Sequence, residues 1–384
     1  MLELTKTQQE HWDLYETHNR NFSKAAKKAG ISRQVFTRSI NATKAKRAKS
    51  GVTDSFDVSD HVGEGYAVKG MSSLVDNNGD AKLRWIKTDK CKERQLEALR
   101  VFVEALKEDI KPYKPIKLVK KKRNKDLLNM YLVTDVHLGM YSWEPETGAD
   151  YDLKIAEKLL TDWQGAAMAQ SPDSQDAILC NLGDFFQCDS INPVTPGHGN
   201  VLDADSRYAK VLEVGTRVLR RMVAMLLEKH ERVFLFNVSG NHDDTTGICI
   251  RQIMSVAYEN EPRVIVDVSP DKYHCHEFGK TSLFWHHGDK RSVANCAEVF
   301  AAKFRSVFGR TEFSYGHLGH KHSVHIKEGN LMTIEQHSTL AAPDAYCSRG
   351  GWMSKRSASV ITYHKEYGEV GRTKISYEMI KDGY

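Results

Sequence analysis

Five short stretches of this 384-residue chain end in side chains that ligate metals or move protons. Asp135 and His137 close LLNMYLVTDVH, Gly183 and Asp184 close DAILCNLGD, and Gly240, Asn241, His242 and Asp243 close RVFLFNVSGNHD. His286 and His287 precede Gly288 in TSLFWHHGD, and GHLGHKH carries His317, His320 and His322. Imidazole and carboxylate are the groups that hold divalent ions and exchange protons near neutral pH. Taken singly, each stretch has a plainer reading. An Asp-x-His pair is more often surface or core, and GNHDD is a good polar turn, since Gly, Asn and Asp supply backbone freedom and local hydrogen bonds. Five such stretches in one chain call for elements that bring them together.

Those elements are legible. From residue 126 onward, apolar runs rich in β-formers alternate with helical segments such as LKIAEKLLTDW and AKVLEVGTRVLRRMVAMLLEKH, a pattern of α/β architecture. In a strand, residues two apart share a face, so Asp135 and His137 point the same way. Rigid strands set side by side carry their end loops to one place, where α/β proteins assemble sites. The chain closes on SVHIKEG, LMTIEQH, SASVITYHK and RTKISYEMI, which read as antiparallel strands. Sheets with helices outside are the expected arrangement.

The order DVH, GD, GNHD, HG, GHKH resembles that of the calcineurin-like metallophosphoesterases. The likeness spans about residues 128 to 380 in outline, with specific matches confined to the five motifs. It implies a four-layer α/β/β/α sandwich and a two-metal centre. Carried over position by position, the resemblance makes Asp184 the bridge between two metals. Asp135, His137 and His322 would complete the first site, and Asn241, His287 and His320 the second. His286 and His287 face opposite sides of a strand, so only one can ligate, and the residue before Gly288 fits the family pattern. His242 would protonate the leaving oxygen, with Asp243 fixing its tautomer. Asp189, in GDFFQCD, stands off the usual GDxxD spacing and is a candidate for assisting near the metals. The family's chemistry explains the residue types: a phosphodiester repels hydroxide, so two cations ~3.5–4 Å apart hold the nucleophile and stabilise an in-line displacement. Imidazole and carboxylate without thiolate suit Mn, Fe or Zn over Mg or Ca, and the resemblance to nuclease-like members makes Mn²⁺ the first expectation.

The first third of the chain differs in charge. Residues 1–125 hold 28 Lys+Arg against 16 Asp+Glu, and residues 126–384 hold 27 against 34. The basic part is where a polyanion would be met. Residues 5–18 form a candidate helix, and NFSKAAKKAGISRQVFTRSI reads as two more around a tight turn, which resembles a helix-turn-helix. Ala25, Ala26 and Ala29 permit close packing, Gly30 turns the chain, Ile31 plugs the joint, and Ser32 caps a helix with Val35 and Ile40 inward. Arg33, Gln34, Thr37 and Arg38 then face out, placed to reach bases or phosphates of DNA.

We expect three parts: 1–48, a helix-turn-helix domain; 49–125, a β-hairpin and helix module ending in a basic linker; and 126–384, the catalytic domain. In the middle part, GYAVKGMSSLVDNNGDAKLRWIKT reads as a hairpin, CKERQLEALRVFVEALKEDI as a helix, and KPYKPIKLVKKKRNK as a linker that doubles as a candidate phosphate contact. Seven scattered cysteines, none in CxxC spacing, suggest reduced thiols rather than disulfides or a zinc ribbon. No apolar run reaches the ~18 residues of a spanning helix, and MLELTKTQQE lacks a signal pattern, which predicts a cytoplasmic protein without membrane contact.

Two further segments are candidate substrate contacts. NPVTPGHGNVLDAD, residues 192–205, reads as a connection or a contact, whereas APDAYCSRGGWMSKR, residues 342–356, offers Tyr346, Arg349 and Trp352, which suit nucleotides. The leading expectation is a DNA nuclease similar to the SbcD-like branch, a combination that also resembles phage and prophage proteins. The alternatives are a small- or cyclic-nucleotide phosphodiesterase or phosphatase and, in a different class, a non-catalytic DNA-binding regulator. GDFFQCD lacks the Asp-Arg-Gly of the protein-phosphatase branch. The resemblance allows a homodimer, and no segment reads as an ATPase-docking motif.

Overall fold

A computed structural model of the chain describes residues 4–49, 66–75, 81–90, 122–197 and 199–383. The chain divides into two compact units, Met1–Leu106 and Lys107–Tyr384. The first begins with α1 (Lys6–Thr17), α2 (Phe22–Ala29) and α3 (Arg33–Lys49). Thr5 and Gln8 form a reciprocal cap that opens α1, supplying partners for N–H groups the helix itself leaves unmet. Asn21 caps α2 by accepting from Ser23 and Lys24 N–H, both at 3.1 Å. Gly30, at φ 68°, ends it in a left-handed conformation that only glycine adopts freely. Ser32 Oγ accepts from Val35 N–H at 3.3 Å.

The helices close on Trp12, Tyr15, Ala25, Ala26, Phe36 and Ile40. One expectation is corrected here: Val35 faces solvent, and Phe36 takes the inward place with Ile40. Residues four apart share a helix face, so Phe36 and Ile40 form one stripe that Val35 cannot join. Arg33, Gln34 and Arg38 are exposed, and Thr37 is half-buried. In the middle segment, β1 (Tyr66–Val75) and β2 (Ala81–Lys90) pair antiparallel. The Asn-Asn-Gly-Asp turn between them, the expected helix at 91–110 and most of the basic linker lie outside the described residues.

The second unit holds two sheets. β3 (Asn124–Val133) starts inside the basic run expected to be irregular, because Asn124 N–H bonds Asp173 O at 2.8 Å. Helices α4 (Glu144–Thr147) and α5 (Leu153–Gln170) follow, then β4 (Ser174–Asn181), α6 (Tyr208–Lys229), β5 (Arg232–Asn237), α7 (Asp244–Ala257) and β6 (Val264–Val266). Next come β7 (His274–Phe278), β8 (Thr281–Trp285), α8 (Cys296–Lys303), α9 (Arg305–Arg310), β9 (Phe313–Leu318), β10 (His325–Glu328) and β11 (Thr333–Gln336). The chain ends with α10 (Ala345–Gly350), β12 (Ser357–His364), β13 (Gly368–Ser376) and α11 (Tyr377–Lys381).

One sheet runs β13-β12-β3-β4-β5-β6 and the other β10-β11-β9-β8-β7. Their facing sides share a core: Leu128, Met130 and Leu132 of β3 and Ile178 and Cys180 of β4 meet Leu283 and Trp285 of β8 and Ile361 and Tyr363 of β12. The two-residue period of a strand turns the alternate positions outward. Phe284 accordingly joins Leu318, Ile334, Cys296 and Phe300 beneath α8 and α9 on the far side of the second sheet. On the far side of the first, Tyr131 reaches Ser171 and His230 at the ends of α5 and α6. Helix, sheet, sheet and helix thus form four layers, an α/β/β/α sandwich. Among the described residues no helix is long and apolar enough to cross a membrane.

Register positions the loops. β3, β4 and β5 are parallel and end level, Val133 opposite Asn181 and Asn181 opposite Asn237. Asn181 Nδ2 donates to Asn237 Oδ1 at 2.7 Å and locks two of those ends. In the second sheet Trp285 stands opposite His317, and His317 opposite Glu335. The loops at 134–137, 182–187, 238–243, 286–289 and 319–322 therefore leave the two sheets together.

Candidate metal centre

Asp135, His137 and His322 bring one ligating atom each within 4.8 Å of one another. His322 Nε2 lies 3.3 Å from Asp135 Oδ1 and 3.3 Å from His137 Nε2. Asp184, His287 and His320 form a second group by the same measure. Here His287 Nε2 stands 3.1 Å from Asp184 Oδ2 and 3.1 Å from Asn241 Oδ1. His287 Nδ1 donates to Leu182 O at 2.9 Å, which fixes the tautomer and leaves Nε2 free to ligate. Six of these side chains and Asn241 thus bring oxygen and nitrogen lone pairs together with no thiolate among them, a donor set that fits two borderline divalent ions.

The backbone is bent to achieve this. Of the seven described non-glycine residues with left-handed φ, five are Asp135 (50°), His137 (48°), Asp184 (49°), His320 (74°) and His322 (52°). Such conformations cost about 1–3 kcal/mol each and persist where the surroundings over-determine them, commonly at functional sites. Two glycines allow the close approach. A Cβ on Gly240 would fall 2.0 Å from Asp184 Oδ1, and one on Gly319 2.7 Å from Asp135 Oδ2.

The charges are coupled across the centre. Burial alone would raise the pKa of Asp135, but His322 beside it holds it well below the usual carboxylate range. Burial likewise opposes ionisation of Asp184, and His287 reverses the balance. Burial disfavours the charged form of both histidines too, yet Asp184 lifts His287 to about 10 and Asp135 lifts His322 to about 10. His137 and His320, by contrast, are pushed down to about 3 and about 4, by burial first and then by a neighbouring histidine. Asp184 also acts on Asp135 and His137, so its charge is felt in both groups. Two carboxylates thus hold positive charge where a pair of divalent cations would place it.

His242 sits beside this centre, its ring edge-on to His137 at 4.8 Å. Its backbone N–H donates to Asp184 Oδ1 at 2.7 Å. The expected role of Asp243 is corrected: Gln187 O, 2.9 Å from His242 Nδ1, fixes the tautomer. Asp243 is instead fully buried and accepts four backbone N–H bonds, from Asp184 and Gly240 on Oδ1 and from Phe185 and Phe186 on Oδ2. It ties the 183–186 loop to the 240–243 loop. Burial and then the charge of Asp184 raise its pKa to about 7 against those donors. Sequence gives no signal for a backbone carbonyl such as Gln187 O, and so the true partner of His242 was missed. Asp189 also does other work than assisting near metals: it caps α7, accepting from Thr245 N–H at 2.8 Å and from Thr246 N–H and Oγ1, both at 2.6 Å.

His286 turns away from the centre, stacked on Tyr273 at 4.3 Å. His317 belongs to a third group with Glu335 and His337. There Tyr363 OH lies 3.0 Å from His317 Nε2, and His317 Nδ1 2.9 Å from His337 Nε2. Glu335 is engaged by Arg372. These contacts satisfy one another, and a guanidinium already balances the carboxylate, so the group reads as a buried hydrogen-bonded chain. Of the candidate substrate residues, Tyr346 and Trp352 are exposed and 4.9 Å apart, and Arg349 pairs with Glu146 at 2.8 Å.

No family profile matches this sequence. No curated protein matches it either. Among solved structures, a dimetal phosphatase from Danio rerio is similar at 9% identity, covering 65% of this chain and 99% of that one with a TM-score of 0.36. An archaeal phosphodiesterase is similar at 12% identity, over 65% and 99%, with a TM-score of 0.32. A 5′-nucleotidase from Candida albicans is similar at 12% identity, over 71% of this chain and 54% of that one, with a TM-score of 0.32.

Proposed function

We propose that the chain is a two-metal phosphodiesterase that acts on DNA. The observation that carries this reading is the pair of three-residue ligating groups, Asp135–His137–His322 and Asp184–His287–His320, set on facing sheet ends with His242 beside them. Two divalent ions, Mn²⁺ first by the likeness to nuclease-like members and Fe or Zn equally suited to the donors, would supply Lewis acidity and an activated nucleophile at neutral pH. The chain's own residues do the rest. Asp184 and Asn241 orient toward the second group while Asp184 also acts on the first. His242 donates through Nδ1 to Gln187 O, so Nε2 is the nitrogen left to face the leaving oxygen, which it would protonate as the imidazolium, returning to the Nδ1–H neutral form. Asp243 holds the two loops that bear Asp184 and His242 at a fixed spacing.

DNA is favoured as substrate by the basic N-terminal third and by the exposed Arg33, Gln34 and Arg38 beside half-buried Thr37 on α3. A small-nucleotide phosphodiesterase or phosphatase would use the same centre without needing that surface. The test is hydrolysis by the full chain in Mn²⁺ of plasmid, linear duplex, single-stranded DNA and bis-p-nitrophenyl phosphate. His242→Ala is expected to lower turnover about 10²–10⁴-fold, the usual share of a positioned acid. Equal rates in wild type and variant would sink the enzymatic reading. Removing residues 1–48 is expected to weaken duplex binding and flatten its salt dependence. Unchanged affinity would leave the nucleotide reading in place of DNA.

A further inference from the structure

The segment beside the first ligating group carries a feature that metal chemistry does not use. His322 closes the 319–322 loop, and α10 follows later in the chain. Ser338 Oγ bonds both His322 O and Lys355 O, so the chain that follows α10 is tied to the same loop. On this tether sits an aromatic surface. Trp352 lies with its ring edge over Gly350, where an added Cβ would come within 2.6 Å of it, and against Tyr346 at 4.9 Å. The Trp352 backbone N–H donates to Cys347 O at 3.1 Å. Trp352 is nonetheless 57% exposed and Tyr346 70%, so the rings are held in place but not covered.

At Ala345, the residue before Tyr346, α10 meets a cavity of about 190 Å³ whose other walls include Tyr141, Trp143, Glu146 and Asp203. It has room for several waters. Tyr141 and Trp143 are themselves exposed, and Met140 N–H bonds the carbonyl of His137, so this wall also leads back to a ligating residue. Two of the wall residues, Glu146 and Asp203, are carboxylates; Glu146 is paired with Arg349, so Asp203 is the one placed to repel a phosphate and accept from an amino group. The exposed lysines lie elsewhere: Lys321 stands between the ligating His320 and His322, and Lys355 follows Trp352.

We propose that this cavity, with Tyr141 and Trp143 in its wall and the Tyr346–Trp352 pair on the segment beside it, forms a nucleobase subsite of the metal centre. Phosphate would lie at the ligating groups and lysines, and the attached base would stack on indole and phenol rings with its amino edge toward Asp203. The subsite rests on the phosphodiesterase reading but is tested without turnover. Adenosine 5′-monophosphate and ribose 5-phosphate, which carry the same phosphate with and without a base, are titrated calorimetrically into the full-length protein in Mn²⁺. A stacked base is expected to tighten Kd about 5- to 150-fold. Trp143→Ala and Trp352→Ala, both at exposed positions, are each expected to shrink that ratio at least several-fold. Equal Kd values in wild type, as an aromatic rim built for a protein partner would give, would overturn the subsite, as would a ratio that survives both substitutions. A base-dependent ratio without ester hydrolysis would instead sink the enzymatic reading alone.

Discussion

At the residue scale, Gly240 shows how narrow the tolerances are. Its hydrogen is all that fits against Asp184, since a Cβ would meet Oδ1 at 2.0 Å and the backbone N at 2.4 Å. Gly240→Ala is therefore expected to displace Asp184 and lower ester hydrolysis about 10²-fold, the scale of a 1 Å misplacement. Hydrolysis at the wild-type rate would mean that Asp184 need not sit where it does. His230 permits a test of pH dependence away from the centre. It bonds Tyr131 OH through Nε2 and Ser174 O through Nδ1, a neutral pattern. Burial, against the pull of the Ser174 carbonyl, holds its pKa down at about 4. The unfolded chain takes up this proton near 6.5, so the contribution is present above that value and is lost as pH falls toward 4. About 2 kcal/mol should go between pH 7 and pH 5. His230→Gln removes the titration, so denaturant unfolding at the two pH values should show a smaller loss in the variant. An equal loss would place the titrating groups elsewhere.

At the element scale, the strands deliver the ligands and the caps hold the loops still. Asp189 accepts three bonds from the first turn of α7, which starts directly after Asp243. Asp189→Ala is expected to cost about 1–2 kcal/mol, as loss of a helix cap does, and to reduce kcat while leaving metal content intact. Thermal unfolding and metal analysis together check this, and a variant that loses metal instead would make Asp189 part of the centre. The strand ends were readable because each apolar run stops at Gly, Asn, Asp or His, as DAILCNLGD does at Asp184. The inward side of α3 was misread by one residue, Val35 for Phe36, because a single apolar pair does not fix helical phase. Asp243 was misassigned for a deeper reason. Its four partners are backbone N–H groups on two loops, and a linear sequence does not display which carboxylate will be enclosed by them.

At the scale of the whole molecule, two sheets face one another so that loops distant in sequence share one corner. His137 and His322 are 185 residues apart yet place their Nε2 atoms 3.3 Å apart. The motif order announced the membership of that corner. It did not announce the left-handed backbone at five of its residues, which arises only when every loop is packed against the next. Tyr346 and Trp352 stood out in the sequence as nucleotide contacts, but Tyr141 and Trp143 did not, since no spacing links them to that segment. The central claim is that this corner holds two divalent ions through a shared carboxylate. Metal analysis of the full chain after equilibration with Mn²⁺ and removal of free ion measures it directly. Two ions per chain in wild type, falling to one or none in Asp184→Ala, is the expected result; no bound ion in wild type, or two retained in the variant, would contradict it.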